Sequence, residues 1–125
     1  MIHFLYHPHF EKQIAKLKKK YPSLEKDFEV FCLARETDPV GYVPNIVPIA
    51  WLGEWVVLPI YKVRKFPLTC MKLANSGIRI IYAYDSHSSA IEFIEFAEIY
   101  HKNDQEDHDR EFLIREYTGK ADLQP

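Results

Sequence analysis

The stretch "AIEFIEFAEIY", residues 90 to 100, admits two readings, and the choice between them decides the fold. Its glutamates stand at 92, 95 and 98, a spacing of three that suits a helix. Its isoleucines and aromatics suit a strand, and a single β-bulge, which shifts the inward and outward alternation by one, reconciles the spacing with a strand. We read it as a bulged strand. Upstream, Ile78 to Tyr84 is another run of Ile and Tyr, bounded by Asn75-Ser76-Gly77 and by Asp85-Ser86. Trp55 to Phe66 is a third run rich in Val, Ile and aromatics. With the turn "DSHSS" between Tyr84 and Ala90, the three runs are expected to form an antiparallel meander.

The first third of the chain reads differently. Ile2 to Tyr6 is short and apolar and stops before Pro8, as a first strand would. Phe10, Ile14, Leu17 and Tyr21 then follow a helical period, with Lys12, Lys16, Lys18, Lys19 and Lys20 on the other side. Pro22 interrupts this helix. Ser23 is placed to cap a second one carrying Leu24, Phe28 and Phe31, which Pro39 and Gly41 stop. So short a joint predicts an antiparallel helical hairpin. At the other end, Asn103 and Asp104 are expected to open a polar terminal helix containing Phe112, Leu113 and Tyr117.

The 125 residues, 47% hydrophobic and 14% aromatic, suffice for one sizeable core and are too few for two domains of ordinary size, so one domain over residues 1–125 is expected. Cys32 and Cys70 match no metal or redox spacing and make no disulfide framework, which fits a reducing cytoplasm. The start "MIHFLYHPHFEKQ" has no basic lead followed by a long apolar centre, so secretion is not expected. Val43 to Tyr61, "VPNIVPIAWLGEWVVLPIY", holds only Glu54 as a charge and has the length of a spanning helix. Pro44, Pro48 and Pro59 argue against that helix, because each removes a backbone donor. An apolar loop leading into a strand is the expectation, with no membrane partner.

The formal charge is −2, but it is unevenly placed. No acid lies between Glu54 and Asp85, an interval that holds Lys62, Arg64, Lys65, Lys72 and Arg79, whereas residues 104 to 116 are rich in acids. In a strand, Lys62 and Arg64 share a face while Tyr61 and Val63 turn the other way, and Arg79 faces away from Ile78, Ile80 and Tyr82. Pairing the two strands would gather Lys62, Arg64 and Arg79 into a cluster with no carboxylate nearby, suited to gripping a phosphate. Other readings stand beside this one. Outward basic residues are common on half-exposed sheets, and Tyr100-His101-Lys102 could be an amphipathic exit into solvent. His7-Pro8-His9 has the look of a metal pair but lacks Cys or carboxylate partners at ligand spacing, so no metal or other cofactor is expected. His87 falls in a polar turn and should be solvated, and the lysines of the first helix could be a solvated face or could track a phosphate backbone.

The order strand, helical hairpin, meander, taken with "IYKVRKF" (60–66), "NSGIRIIYAY" (75–84) and "AEIYHKND" (97–104), resembles the RelE/ParE superfamily of type II toxin–antitoxin toxins, in its RelE and HigB branch. The resemblance runs over nearly the whole chain. It implies an α+β fold in which an N-terminal strand and a helical hairpin pack on a small twisted, mainly antiparallel sheet, with a C-terminal helix. It also implies a small, metal-free, cytoplasmic endoribonuclease that cuts mRNA on the ribosome and is held in check by a cognate antitoxin protein. Carried over to this chain, Lys62 and Arg64 match the basic positions of the central strand, with Lys65 beside them. Arg79 matches the arginine of the "GxRxxY" strand. Tyr100 and His101 match the aromatic and histidine near the end of the last strand, and Lys102 the lysine beside them.

On that footing Arg79, His101 and Tyr100 are the candidate catalytic residues, and Lys62, Arg64, Lys65 and Lys102 the candidate RNA and phosphate contacts. A base would take the ribose 2′-OH proton, the oxygen would attack phosphorus, and an acid would protonate the departing 5′-oxygen. His101 suits acid or base duty; Tyr100 could substitute for it or stack on a base. Tyr100 and His101 should therefore open toward the same face as the cations. A ParE-like toxin acting on DNA gyrase, and a non-catalytic member that only binds a partner protein, are the alternatives.

Overall fold

The computed structural model describes residues 2–41, 45–72, 75–86 and 91–125. The chain is α+β, with strands β1 (Ile2–Tyr6), β2 (Ile46–Pro48), β3 (Ile60–Val63), β4 (Ile78–Asp85) and β5 (Glu92–His101). The helices are α1 (Pro8–Lys20), α2 (Leu24–Thr37) and α3 (Arg110–Tyr117), and a single 3-10 turn covers Thr69–Met71. The five strands form one sheet in the order β1-β5-β4-β3-β2. β1 runs parallel to β5, and every other pair is antiparallel.

Residues 92 to 101 are a strand, and the bulge is present. Ile81 pairs with Glu98 and Tyr82 with Phe96, which leaves Ala97 as the extra residue on β5. The slip explains the glutamate spacing: Glu95 accepts a hydrogen bond from Tyr117 Oη (2.6 Å) and Glu98 from the Asp109 amide (2.9 Å), so two glutamates three apart serve the same side of the sheet.

Each face of the sheet carries its own core. On one, Phe10 and Leu17 of α1 and Leu24 and Phe28 of α2 cover Ile78, Ile80, Tyr82, Ile94, Phe96 and Ile99. On the other, Phe112, Leu113 and Tyr117 of α3 cover Ile81, Ala83, Ala97 and Tyr100. Each large side chain so removed from water contributes about 1.5–3 kcal/mol. The lysines of α1 stay exposed, and Lys18, Lys19 and Lys20 fall in its last turn, where cations complement the helix dipole. Pro8 opens α1 at a position whose N–H would be unpaired in any case.

Several boundaries differ from the sequence reading. Of Trp55 to Phe66 only Ile60–Val63 is strand, because Trp51 and Gly53 take positive φ and the chain to Pro59 loops outward. β2 is a strand where a loop was expected; it lies at the sheet edge, where Pro48 lacks no needed donor. Ser23 stands at the N-cap of α2 as expected, but its side chain makes no capping bond: its hydroxyl donates to Asp27 (2.7 Å) and accepts from the Cys70 amide (2.9 Å), fastening the 69–71 turn to the hairpin. α3 starts at Arg110, with Asp109 accepting from the Phe112 amide (3.0 Å), and not at Asn103-Asp104. No helix of the described residues is long and apolar enough to cross a membrane. Val43, Pro44 and His87 lie outside the described residues.

Candidate active site

β3, β4 and β5 set the positions of the candidate residues through register. Arg79 stands directly opposite Tyr100, and Lys62 opposite Ile81, two residues along β4 from Arg79. In this geometry the diagonal Lys62 and Arg79 backbones are about 7–8 Å apart. Ile81 and Tyr100 belong to the core under α3, so Lys62, Arg79 and Tyr100 share the face opposite the hairpin. Val63 and Tyr61 turn toward the hairpin, as their alternation with Lys62 requires. Arg64 follows β3 and is exposed, its amide donating to Asn45 O (2.7 Å).

The expectation of a cluster free of carboxylates does not hold. Lys62 Nζ donates to Asp107 Oδ1 at 2.5 Å. Asp107 comes from the acid-rich segment, which folds back between β5 and α3 instead of beginning a helix. That segment is pinned by Glu98, wholly buried, which accepts from Gln105 Nε2 (2.7 Å) and from the Asp109 amide. Burial works against ionising Asp107, but hydrogen bonds from Lys62 and His108, and their charges, outweigh it and hold its carboxyl below the usual range. Arg79 is half-buried, and among the described residues its guanidinium makes only a 3.4 Å contact to its own neighbour's carbonyl, Ile78 O. Among the described residues no carboxylate forms an ion pair with it.

Tyr100 and His101 do not open to one face; as strand neighbours outside the bulge they point to opposite ones. The Tyr100 ring is buried under α3, and its hydroxyl has no hydrogen-bond partner among the described residues. Burial, then the charges of Asp107 and Glu98, push its pKa up, with Arg79 opposing. His101 lies on the hairpin side, 9% exposed, with its ring stacked at 6.2 Å on Tyr21. Its Nε2 donates to Ser76 O (3.0 Å) and its Nδ1 accepts from the Asn103 amide (3.1 Å), so both ring nitrogens are engaged with backbone. Gly77, at φ +89°, packs against the same ring. Lys102 is exposed and its amide donates to Gly77 O (2.9 Å). Lys65 lies on the hairpin side instead, beside Arg35, Asp38 and Val63.

One residue of the site was missed in the sequence. His108 Nδ1 is 2.9 Å from Asp107 Oδ1 and 3.5 Å from Lys62 Nζ, and its side chain is 16% exposed. The only trace of it was a histidine inside "DQEDHD", which reads as a solvated acidic tail until β5 and α3 are known to bring it back over β3.

The two remaining histidines of note are structural. His7 Nδ1 accepts from the His9 amide (3.0 Å) as the cap of α1, and its Nε2 bonds Glu116 on α3 (2.7 Å). The His9 ring packs on Phe112 with centroids 4.4 Å apart. The described residues contain no group of three or more His, Cys, Asp or Glu placed to hold a metal ion. Comparison with protein-family models, with curated proteins and with solved structures gives no match to the chain.

Proposed function

We propose that the chain is the toxin of a RelE-like toxin–antitoxin pair, a metal-free endoribonuclease that cleaves mRNA on the ribosome by 2′-OH attack. The observation that carries this reading is the placement of Arg79, Lys62 and Tyr100 on one sheet face, with Arg79 unpaired by any described carboxylate. A guanidinium and an ammonium on one face can hold a phosphodiester and stabilise the extra negative charge of a phosphorane. Arg64, exposed at the end of β3, extends the same positive edge along which an RNA backbone would run. A cytoplasmic location and an antitoxin partner belong to this reading, the partner restraining a protein that would otherwise degrade the cell's own messages.

The experiment is direct. Ribosomes programmed with a defined mRNA are incubated with the purified chain and with Arg79→Ala, and the fragments are mapped. The reading requires cuts that disappear with Arg79→Ala. Absence of cuts by the parent chain removes it.

A non-catalytic, partner-binding protein is the second reading, and two observations favour it. Asp107 occupies Lys62, and Trp51, Trp55 and Val57 are 86%, 69% and 61% exposed on the loop before β3. A pull-down in which the chain retains one protein partner while RNA stays intact would select it. A gyrase-directed toxin would reveal itself by DNA damage in the same cells.

A further inference from the structure

We infer that the segment between β5 and α3 is a built-in plug: the Asp107 carboxylate holds the place on Lys62 that an RNA phosphate takes, and a phosphate must displace it. The inference concerns the regulation of the site described above and rests on the ribonuclease reading. Lys62 Nζ donates to Asp107 Oδ1 (2.5 Å), and the Lys62 side chain is 20% exposed while that of Asp107 is 61% exposed. A carboxylate oxygen offers an ammonium the same acceptor chemistry as a non-bridging phosphate oxygen.

The segment is built so that the plug opens without the fold opening. Glu98, wholly buried on β5, fixes the chain on both sides of Asp107: it accepts from Gln105 Nε2 (2.7 Å) and from the Asp109 amide (2.9 Å). Gln105 Nε2 also donates to Asp107 O (2.7 Å), which holds the main chain at the plug itself. The part left to turn is the exposed Asp107 side chain, whose other bond, from the His108 amide (2.8 Å), reaches one residue. When the carboxylate swings away, His108 Nδ1, which accepts from Lys62 at 3.5 Å, steadies the ammonium.

The plug closes half of the cation pair. Among the described residues Arg79 forms no ion pair, and the hydroxyl of Tyr100, its register partner, has no hydrogen-bond partner. An arriving phosphate therefore meets an open guanidinium and an occupied ammonium. The tethered carboxylate competes at an effective concentration on the order of millimolar. Affinity falls in proportion to the fraction of molecules in which the site is open.

The test measures, by fluorescence anisotropy at low salt, the binding of a short single-stranded oligoribonucleotide with 2′-O-methyl riboses, which cannot undergo 2′-OH attack. The parent chain is compared with Asp107→Asn, Lys62→Ala, the double variant and Glu106→Gln. Glu106 is exposed and forms no ion pair among the described residues, so its substitution removes the same charge one position away. Asparagine at 107 keeps an acceptor for the His108 amide, so the segment keeps its shape. Asp107→Asn should bind about fivefold to tenfold more tightly than the parent, and Glu106→Gln less than about twofold more tightly. With Lys62→Ala in place, Asp107→Asn should add no more than Glu106→Gln does, since no ammonium remains to uncover. An Asp107→Asn no tighter than Glu106→Gln overturns the plug, as does an equal gain with and without Lys62, or an absence of RNA binding by every variant. Cleavage by the parent chain on programmed ribosomes is scored separately. Cuts without a gain in binding overturn the plug alone, and a gain without cuts removes the ribonuclease reading while the plug stands as the control of an RNA-binding site.

Discussion

Arg79 and Tyr100 are register partners across β4 and β5 on the face that α3 partly covers, and the buried hydroxyl of Tyr100 has no hydrogen-bond partner among the described residues, beside a guanidinium that has only one weak one. Two polar groups left so poorly satisfied on one face are a cost to folding that a bound anion would offset.

Arg79→Ala should leave the fold intact, since among the described residues Arg79 forms no ion pair, with a melting temperature within a few degrees of the parent. Cleavage should fall by about two to three orders of magnitude, the usual cost of one transition-state donor. Calorimetry and fragment mapping on the same preparation check both halves.

Tyr100→Phe removes a buried hydroxyl that has no partner among the described residues and keeps the ring under α3. It should stabilise the protein by about 1 kcal/mol, read by urea denaturation. A loss of stability would mean that the hydroxyl is bonded in the folded state.

Gly77 and His101 should couple. A Cβ at Gly77 would lie 2.8 Å from His101 Nε2, at φ +89°. Gly77→Ala should cost about 1–2 kcal/mol from the positive φ alone, plus the collision. His101→Ala should cost about 2–3 kcal/mol, because Ser76 O and the Asn103 amide lose their partners. The double variant should lose less than the sum, since the ring that the added methyl would strike is gone. Strict additivity in a double-mutant cycle would contradict the packing described here.

The attachment of α3 should be acid-sensitive. The hydrogen bond from His7, partly opposed by burial, holds Glu116 below its ordinary value of 4.5, and Asp107 is likewise depressed. A carboxyl lowered in the folded state contributes stability that is fully present above its unfolded value and is lost as pH falls through the folded one. Hydrogen exchange in α3 should therefore accelerate below about pH 4.5. The effect should be modest because Glu116 is solvent-screened. Glu116→Gln should flatten the response.

The meander, the bulge and the helical hairpin were legible in the sequence because each is written locally: Ile78 to Asp85 and Glu92 to His101 by their β-branched and aromatic content, α1 and α2 by the period of Phe10, Ile14, Leu24 and Phe28. The facing of Lys62 and Arg79 followed from alternation alone. What was not legible depended on contacts made across the chain. Lys62 meets Asp107 forty-five residues away, and no local pattern announces that the acidic segment turns back over β3. Tyr100 and His101 were expected to work together, yet strand geometry outside the bulge sends adjacent side chains to opposite faces, so the family-like pair divides between the two cores. β2, three residues long and ending in proline, carries too little propensity to stand out from a loop.

The central claim, that this sheet face cleaves RNA without a metal, is tested most directly by the chemistry of the cut ends. Programmed ribosomes are treated with the purified chain, with and without a chelator that strips transition metals but leaves the ribosome its magnesium, and the fragments are probed for their termini. The account predicts 2′,3′-cyclic phosphate on the upstream fragment and 5′-hydroxyl on the downstream one, at an unchanged rate in the chelator, and no such ends with Arg79→Ala. Intact mRNA after prolonged incubation, or 5′-phosphate ends whose formation the chelator abolishes, would contradict it.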